Sequence, residues 1–554
     1  MSAISNSRKQ YPPRRLCLVL LLAFLVGFVH AERHERLIES WQPTHFEINL
    51  ALDKSLSRLD FAVADVTILV RQPDVTKIDF DFGVMPVSAV KVGNDVVRFV
   101  QHDAKLDVYL ARPAQKNQKL IISVTYSGVP QDGLILTKDR DGNPSAVGDN
   151  WADRVHNWIP CFDHPSAKAS VRFTVTASTD YSVVANGVLE SSTTNPDMTR
   201  TWIYTETKPV SPYNMVIAAG RFASGTLKSD SPVPISYYVP QSDKAAAEQS
   251  FSSAGSSVLT FSNLVGPYPY KKLALIVGAT RFGGMENANT IVFPPTLFHG
   301  PQTQQTQSKR FGIPNRVEEV VAHEIAHQWF GDSVTEATWA DLWLSEGFAT
   351  YFAGLFLEQN EGKERFRDYM RDKAASYLKF EKTHRTPIHD TETEKLFDLL
   401  SPNNYEKGGW VLHGLRGILG DKAFFNGLRN YFEEHKESTA TTEDLRAALE
   451  KSSGRDLRYF FKRWVYQSGH PIYQISWKAI NPSTLEITLL QIQEDEAFLQ
   501  PITVEIVSEK GQRRETINPS GKETTVKVKS PTPKMIVVDP DEYILKEVIA
   551  NRQS

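Results

Sequence analysis

The segment VVAHEIAHQWFGD, from Val320 to Asp332, constrains this chain more than any other. Histidines four residues apart lie one turn apart on the same face of an α-helix, so His323 and His327 can aim their rings at a single point. Glu324 stands about 100° around the axis, beside that point without being forced onto it. Val320, Val321, Ile325, Trp329 and Phe330 supply the apolar surface that holds such a helix inside a domain, and Gly331 ends it. Taken alone, the pentad suits two zinc ligands with an adjacent general base, or two core histidines satisfied by carbonyls.

The 554 residues imply several domains, since single cores stop growing beyond roughly 250–300 residues. With 41% hydrophobic and 23% charged residues, the composition is that of a soluble globular protein. The N-terminus differs. Arg8, Lys9, Arg14 and Arg15 precede the apolar run LCLVLLLAFLVGFV, and VHA follows, ending at Ala31. This is the pattern of a cleavable secretory signal over residues 1–31, too short for a comfortable membrane span, with an uncleaved anchor as the alternative. The reading is therefore a secreted or periplasmic protein. Cleavage removes Cys17 and leaves Cys161 alone, so stability rests on the core without an internal disulfide. It also removes four positive charges from a formal net of −3, leaving −7. No basic stripe points to nucleic acid.

Three stretches differ in period. Residues 32–224 read as an all-β domain, with HFEINLAL, FAVADVTILV, LDVYLA, KLIISVTY and VRFTVTAS alternating or running apolar between turn residues. DRDGNP, Asp139 to Pro144, reads as a hairpin turn, because proline stands where a calcium loop needs glycine. Residues 225–470 read as helical, with Thr441 and Asp444 as a capping box and Gly454 as the stop of that helix. Residues 471–554 return to the strand period in YQISWKAI, LEITLLQI and PITVEIV, a small β-domain. The class is multidomain α+β.

A catalytic zinc takes three protein ligands and leaves a position open. Glu346 in DLWLSEGFATYF is the third candidate, returned towards the histidines by a second helix that Asp341 can cap. With this second motif, the chain resembles the gluzincin aminopeptidases of the aminopeptidase N and leukotriene hydrolase family. RFGGMENANT, Arg281 to Thr290, resembles their exopeptidase loop, and YEKGGWVLHGLR, Tyr405 to Arg416, their catalytic tyrosine segment. NWIPCFDHPSAKA and FFKRWVYQSGHP add matches at either end.

The resemblance implies a saddle-like N-terminal β-domain, a thermolysin-like catalytic α/β domain and a small β-sandwich. It implies one zinc ion on His323, His327 and Glu346, with Glu324 as the base that takes the proton of the attacking water and later delivers one to the leaving nitrogen. It implies Glu286 as the acceptor of the substrate's free amino terminus, Gly283, Gly284, Met285 and Asn287 as the rest of the substrate loop, and Tyr405 as a donor to the oxyanion. The substrates it implies are peptides with a free N-terminus, cut one residue at a time.

Three features depart from the family. A second amine contact, usually a Gln-x-Glu or Gln-x-Gln pair, falls near Asp149 and Trp151 and is altered. Ser345 replaces the asparagine usual before the third ligand. The chain ends where many members begin a large C-terminal helical domain, so a more open cleft is expected. Cys161 lies in the IPCFD segment and is read as structural, and Asp163 and His164 as loop hydrogen-bonders. Two rival functions remain: a lipid epoxide hydrolase, because GGMEN is the leukotriene-hydrolase form of the loop, and an inactive peptide-binding homologue.

Overall fold

The computed structural model describes residues 33, 35–37, 39–298 and 316–553, so the expected leader lies outside the described residues. In the first stretch, alternation becomes strands with one buried face. Trp41–Leu52 buries Phe46, Ile48 and Leu50, and Leu59–Val70 buries Ala62, Ala64, Val66 and Ile68, every second residue in each case. The two pair antiparallel, Ile48 opposite Ala64, and Trp41–Leu52 pairs in parallel with Ala169–Ser178, inside an eight-stranded sheet. A three-stranded and a four-stranded sheet complete this β-rich part. DRDGNP is the turn of the hairpin Leu134–Lys138 to Pro144–Gly148. Asp139 Oδ1 accepts the N–H groups of Asp141 and Asn143 at 2.9 and 2.8 Å, so the turn itself uses that carboxylate.

Helix begins later than the sequence pattern places it. The stretch from 225 opens with a four-stranded sheet of Ala223–Thr226, Ile235–Val239, Leu273–Val277 and Thr290–Phe293, the last three mutually parallel. All five residues of LALIV are buried. A run covered on both faces has no alternation to reveal it as a strand.

Helices then dominate. Val317–Ala326 carries the first histidine, Trp343–Glu361 is buried without interruption from Trp343 to Leu357, and Lys363–Glu381 packs beside it. A π-helical turn, Asn403–Lys407, leads into Gly408–His435. Thr441 and Asp444 form the reciprocal capping box, and Gly454 ends that helix at φ +68°. Asp341 does not cap Trp343–Glu361. Its Oδ1 accepts the N–H and hydroxyl of Thr442 at 2.9 and 2.7 Å, at the start of a helix a hundred residues away in the chain.

The last stretch forms a four-stranded and a three-stranded sheet, with Ile472–Asn481 and Thr484–Gln491 central to the first and Ile502–Ser508 to the second. One continuous apolar core runs from Trp41 through Phe330 and Trp343 to Leu545, so the parts share their interior. No helix among the described residues is long and apolar enough to cross a membrane.

Candidate active site

The helix Val317–Ala326 ends with a tightened turn. Gln328 N–H donates to the Ile325 carbonyl and Trp329 N–H to that of Ala326, both at 3.1 Å. The regular helix therefore stops four residues before Phe330, where the apolar pattern extends it, because this last turn closes onto i−3 carbonyls. The histidine spacing survives: the two Nε2 atoms lie 3.1 Å apart. Glu346, in the first turn of Trp343–Glu361, places Oε2 at 3.4 Å from His323 Nε2 and 3.5 Å from His327 Nε2.

These separations test whether the three residues suit a metal ion. A tetrahedral zinc with bonds of about 2.0–2.1 Å sets its ligand atoms about 3.3–3.4 Å apart. The observed 3.1, 3.4 and 3.5 Å match that spacing. Glu346 Oε2 is buried and accepts no hydrogen bond among the described residues, which leaves it available to a cation. The His327 Nδ1 edge faces the Phe330 carbonyl at 3.2 Å and the Ser345 hydroxyl at 3.0 Å. A proton on Nδ1 turns the Nε2 lone pair towards the ligand point, and Ser345 serves this arrangement from the position where the family has asparagine.

Glu324 and Glu286 lie beside His327. A carboxylate oxygen of each and a ring nitrogen of His327 all lie within 4.8 Å of one another. A Cβ at Gly284 would run into the Glu324 carboxyl, so the bare backbone there is what admits the base. Gly283 is exposed at the loop surface, and Met285 and Asn287 are buried. Met285 pairs its backbone with Val292, and the Asn287 carbonyl accepts from Thr290 N–H.

Burial governs the titration of this cluster. It pushes Glu324 well above the usual carboxylate range, with Glu286 and Glu346 adding to the shift, and raises Glu286 to about 7. Burial lowers His323 to about 4, against the pull of Glu346. For His327, burial is overcome by Glu286 and Glu346, which raise it to about 10. The carboxylates gather positive charge to this point, as a proton or as a cation.

Tyr405 reaches the site from the π-helical turn. Its hydroxyl donates to Glu346 Oε1 at 2.6 Å, and its ring lies parallel to that of His323 with centroids 5.9 Å apart. The approach depends on two glycines: a Cβ on Gly347 would come within 2.9 Å of the Gly408 Cα. π-Helical turns of this kind recur at functional sites.

Asp149 and Trp151 do not offer a second amine contact. Asp149 is fully buried and bonded to Arg154 at 3.0 Å, Thr280 at 3.1 Å and Arg281 N–H at 3.3 Å. Trp151 packs edge-on against Phe282, Trp339 and Phe397. Cys161 is buried, and burial drives its thiol upward, away from a nucleophilic thiolate. Asp163 accepts the backbone N–H of His156 at 3.0 Å, and His164 meets Glu35 at 3.0 Å.

Sequence reasoning missed the groups that hold these parts together. Lys168 reaches from the β-rich part into the turn after the histidines, donating to the Asp332 and Ser333 carbonyls at 2.8 Å each and to Thr335 at 2.9 Å. Gln328 was a legible signal, a polar residue between the ligand His327 and the apolar pair Trp329 and Phe330. Its partners, brought from distant segments, were not.

Comparison with known proteins bears on this arrangement. Residues 257–464 match the peptidase family M1 domain, and residues 44–214 the peptidase M1 N-terminal domain. A probable aminopeptidase 2 from Sulfurisphaera tokodaii is 28% identical over 70% of this chain and 50% of its own length. Bovine (Bos taurus) glutamyl aminopeptidase is 31% identical over 57% of this chain and 33% of its own. The chain thus spans about half, or less, of these relatives. The crystal structure of an M1 zinc metallopeptidase from Deinococcus radiodurans shares the fold, with a TM-score of 0.64 at 24% identity over 78% of this chain and 95% of that one. With both family domains matched around a His–His–Glu cluster of metal-ligand spacing, the chain belongs to peptidase family M1.

Proposed function

We propose that this protein is a zinc aminopeptidase that removes single residues from the free N-termini of peptides, with Glu324 as general base. The family is one of zinc peptidases with one ion, and His323, His327 and Glu346 would hold it here. One observation carries the reading. Glu286, Glu324 and Glu346 are three buried carboxyl groups around two imidazoles, and buried negative charge needs compensation. A divalent ion and one substrate ammonium bring three positive charges, the number this cluster takes when all three carboxylates are ionised.

The bound ion supplies Lewis-acid activation of water and of the scissile carbonyl. Glu324 takes the water's proton and returns one to the leaving nitrogen, a task that suits a carboxyl whose affinity for protons is raised. Glu286 pairs with the substrate ammonium, and Tyr405 donates to the carbonyl oxygen as it gains charge. The relatives that this chain matches carry aminopeptidase names, which favours the peptidase over an epoxide hydrolase.

The test is hydrolysis of aminoacyl chromophores by the zinc-loaded protein, abolished by chelation, with N-acetylated peptides left intact. Glu286→Ala is expected to lower kcat/KM by about 10²-fold, chiefly through KM, since truncating one partner of a buried charge pair is costly. Efficient cleavage of an acetylated peptide by the wild type removes Glu286 from this role. Tyr405→Phe keeps the ring and deletes one donor, so kcat should fall about 10²–10³-fold with KM within a few-fold and zinc retained. A raised KM at unchanged kcat makes Tyr405 a binding residue instead.

A further inference from the structure

The segment from Gly283 to Asn289, which carries Glu286, belongs to no helix or strand, yet it is bonded on both flanks. On one side stands the carboxamide of Gln328, next in the chain to the ligand His327. Its Nε2 donates to the Glu286 carbonyl at 2.8 Å and to Asp332 Oδ2 at 2.7 Å, while its Oε1 accepts Asn289 N–H at 2.7 Å and the Tyr268 hydroxyl at 3.1 Å. A primary amide has two N–H donors and two acceptor lone pairs, so every position of this one is used. On the other side stands the β-rich part: Gly187 N–H donates to Asn289 Oδ1 at 2.7 Å, Asn289 Nδ2 to Glu206 Oε2 at 2.9 Å, and Asn186 Nδ2 to the Ala288 carbonyl at 2.8 Å. Asn289 is thereby held at φ +54°, a left-handed conformation uncommon outside glycine.

We propose that Gln328 and Glu206 are positioning residues that fix the Glu286 carboxylate at one distance from the metal ligands and so set the register of cleavage. This rests on Glu286 being the amine acceptor. An aminopeptidase must place an ammonium and a carbonyl one residue apart at two fixed points, and a misplacement of about 1 Å costs about 10²-fold. Gln328 ties the Glu286 backbone to the residue beside His327, and Glu206 ties the far end of the same loop to the N-terminal part. Both are buried.

The experiment compares the zinc-loaded full chain with Gln328→Leu, which removes all four bonds, and Glu206→Gln, which weakens one. Zinc per chain, kcat and KM on an alanyl chromophore, and the rate on its N-acetylated form are measured. Wild type must cleave the free amine and spare the acetylated form; if it fails in either, the aminopeptidase reading fails before this one is reached. Gln328→Leu is expected to keep its zinc and raise KM about 10- to 100-fold, with kcat within a few-fold and less discrimination against the acetylated substrate. Glu206→Gln should shift KM the same way by a smaller factor. A purely structural role lowers the active fraction, and with it kcat, at constant KM. That result, or wild-type KM in the zinc-loaded variants, overturns the proposal. If Gln328→Leu does not fold, Glu206→Gln decides it.

Discussion

Replacing Glu324 with glutamine is expected to leave zinc at one ion per chain and to lower kcat by about 10³-fold or more, since proton transfer by one positioned group contributes about 10²–10⁴-fold. Glu324 is not one of the three residues whose ligand atoms lie 3.1–3.5 Å apart; its carboxyl lies against the Gly284 backbone and within 4.8 Å of Glu286 and His327. Glutamine has the same shape and fills the same space, so the loop and ligand helix stay as they are. What changes is basicity. An amide oxygen cannot hold the proton that the carboxylate takes from water, and both proton transfers fail together. Removing the carboxylate also takes one negative charge from a cluster that strains to keep its charges compensated, so zinc affinity shifts modestly and the fold gains if anything. The measurement is metal content beside single-substrate kinetics. Turnover near the wild type at full zinc would sink the general-base assignment.

The parts of the site that sequence made legible are those encoded locally. His323 and His327 are related by helix geometry alone, and the capping box at Thr441 by a four-residue rule; both stand as the pattern requires. Misreadings arose where a residue's partner is far away in the chain. Asp341 has the composition of a cap for the adjacent helix, but Trp343–Glu361 is buried from Trp343 to Leu357 and is held by packing, which leaves the carboxylate to Thr442. LALIV carries no strand period because both of its faces are covered. The clamp on Glu286 draws on Asn186, Glu206 and Gln328, three segments that no local period connects. Ser345 reads as a departure from the family until the structure sets its hydroxyl at His327 Nδ1.

His323→Ala and Glu346→Ala are expected to lose the ion itself, and with it all measurable activity. Each removes one of three atoms that lie 3.1–3.5 Å apart. Catalysis and metal content should fall together here, in contrast to Glu324→Gln, where they separate. Thermal unfolding gives an independent readout, because an ion that binds only the folded state stabilises it in proportion to the logarithm of its concentration over Kd. Wild type should show a Tm that rises with added zinc and falls with chelator. Glu346→Ala should show neither shift. One zinc per chain in Glu346→Ala, with the wild-type dependence of Tm on zinc, would move the third ligand elsewhere and undo the site as drawn.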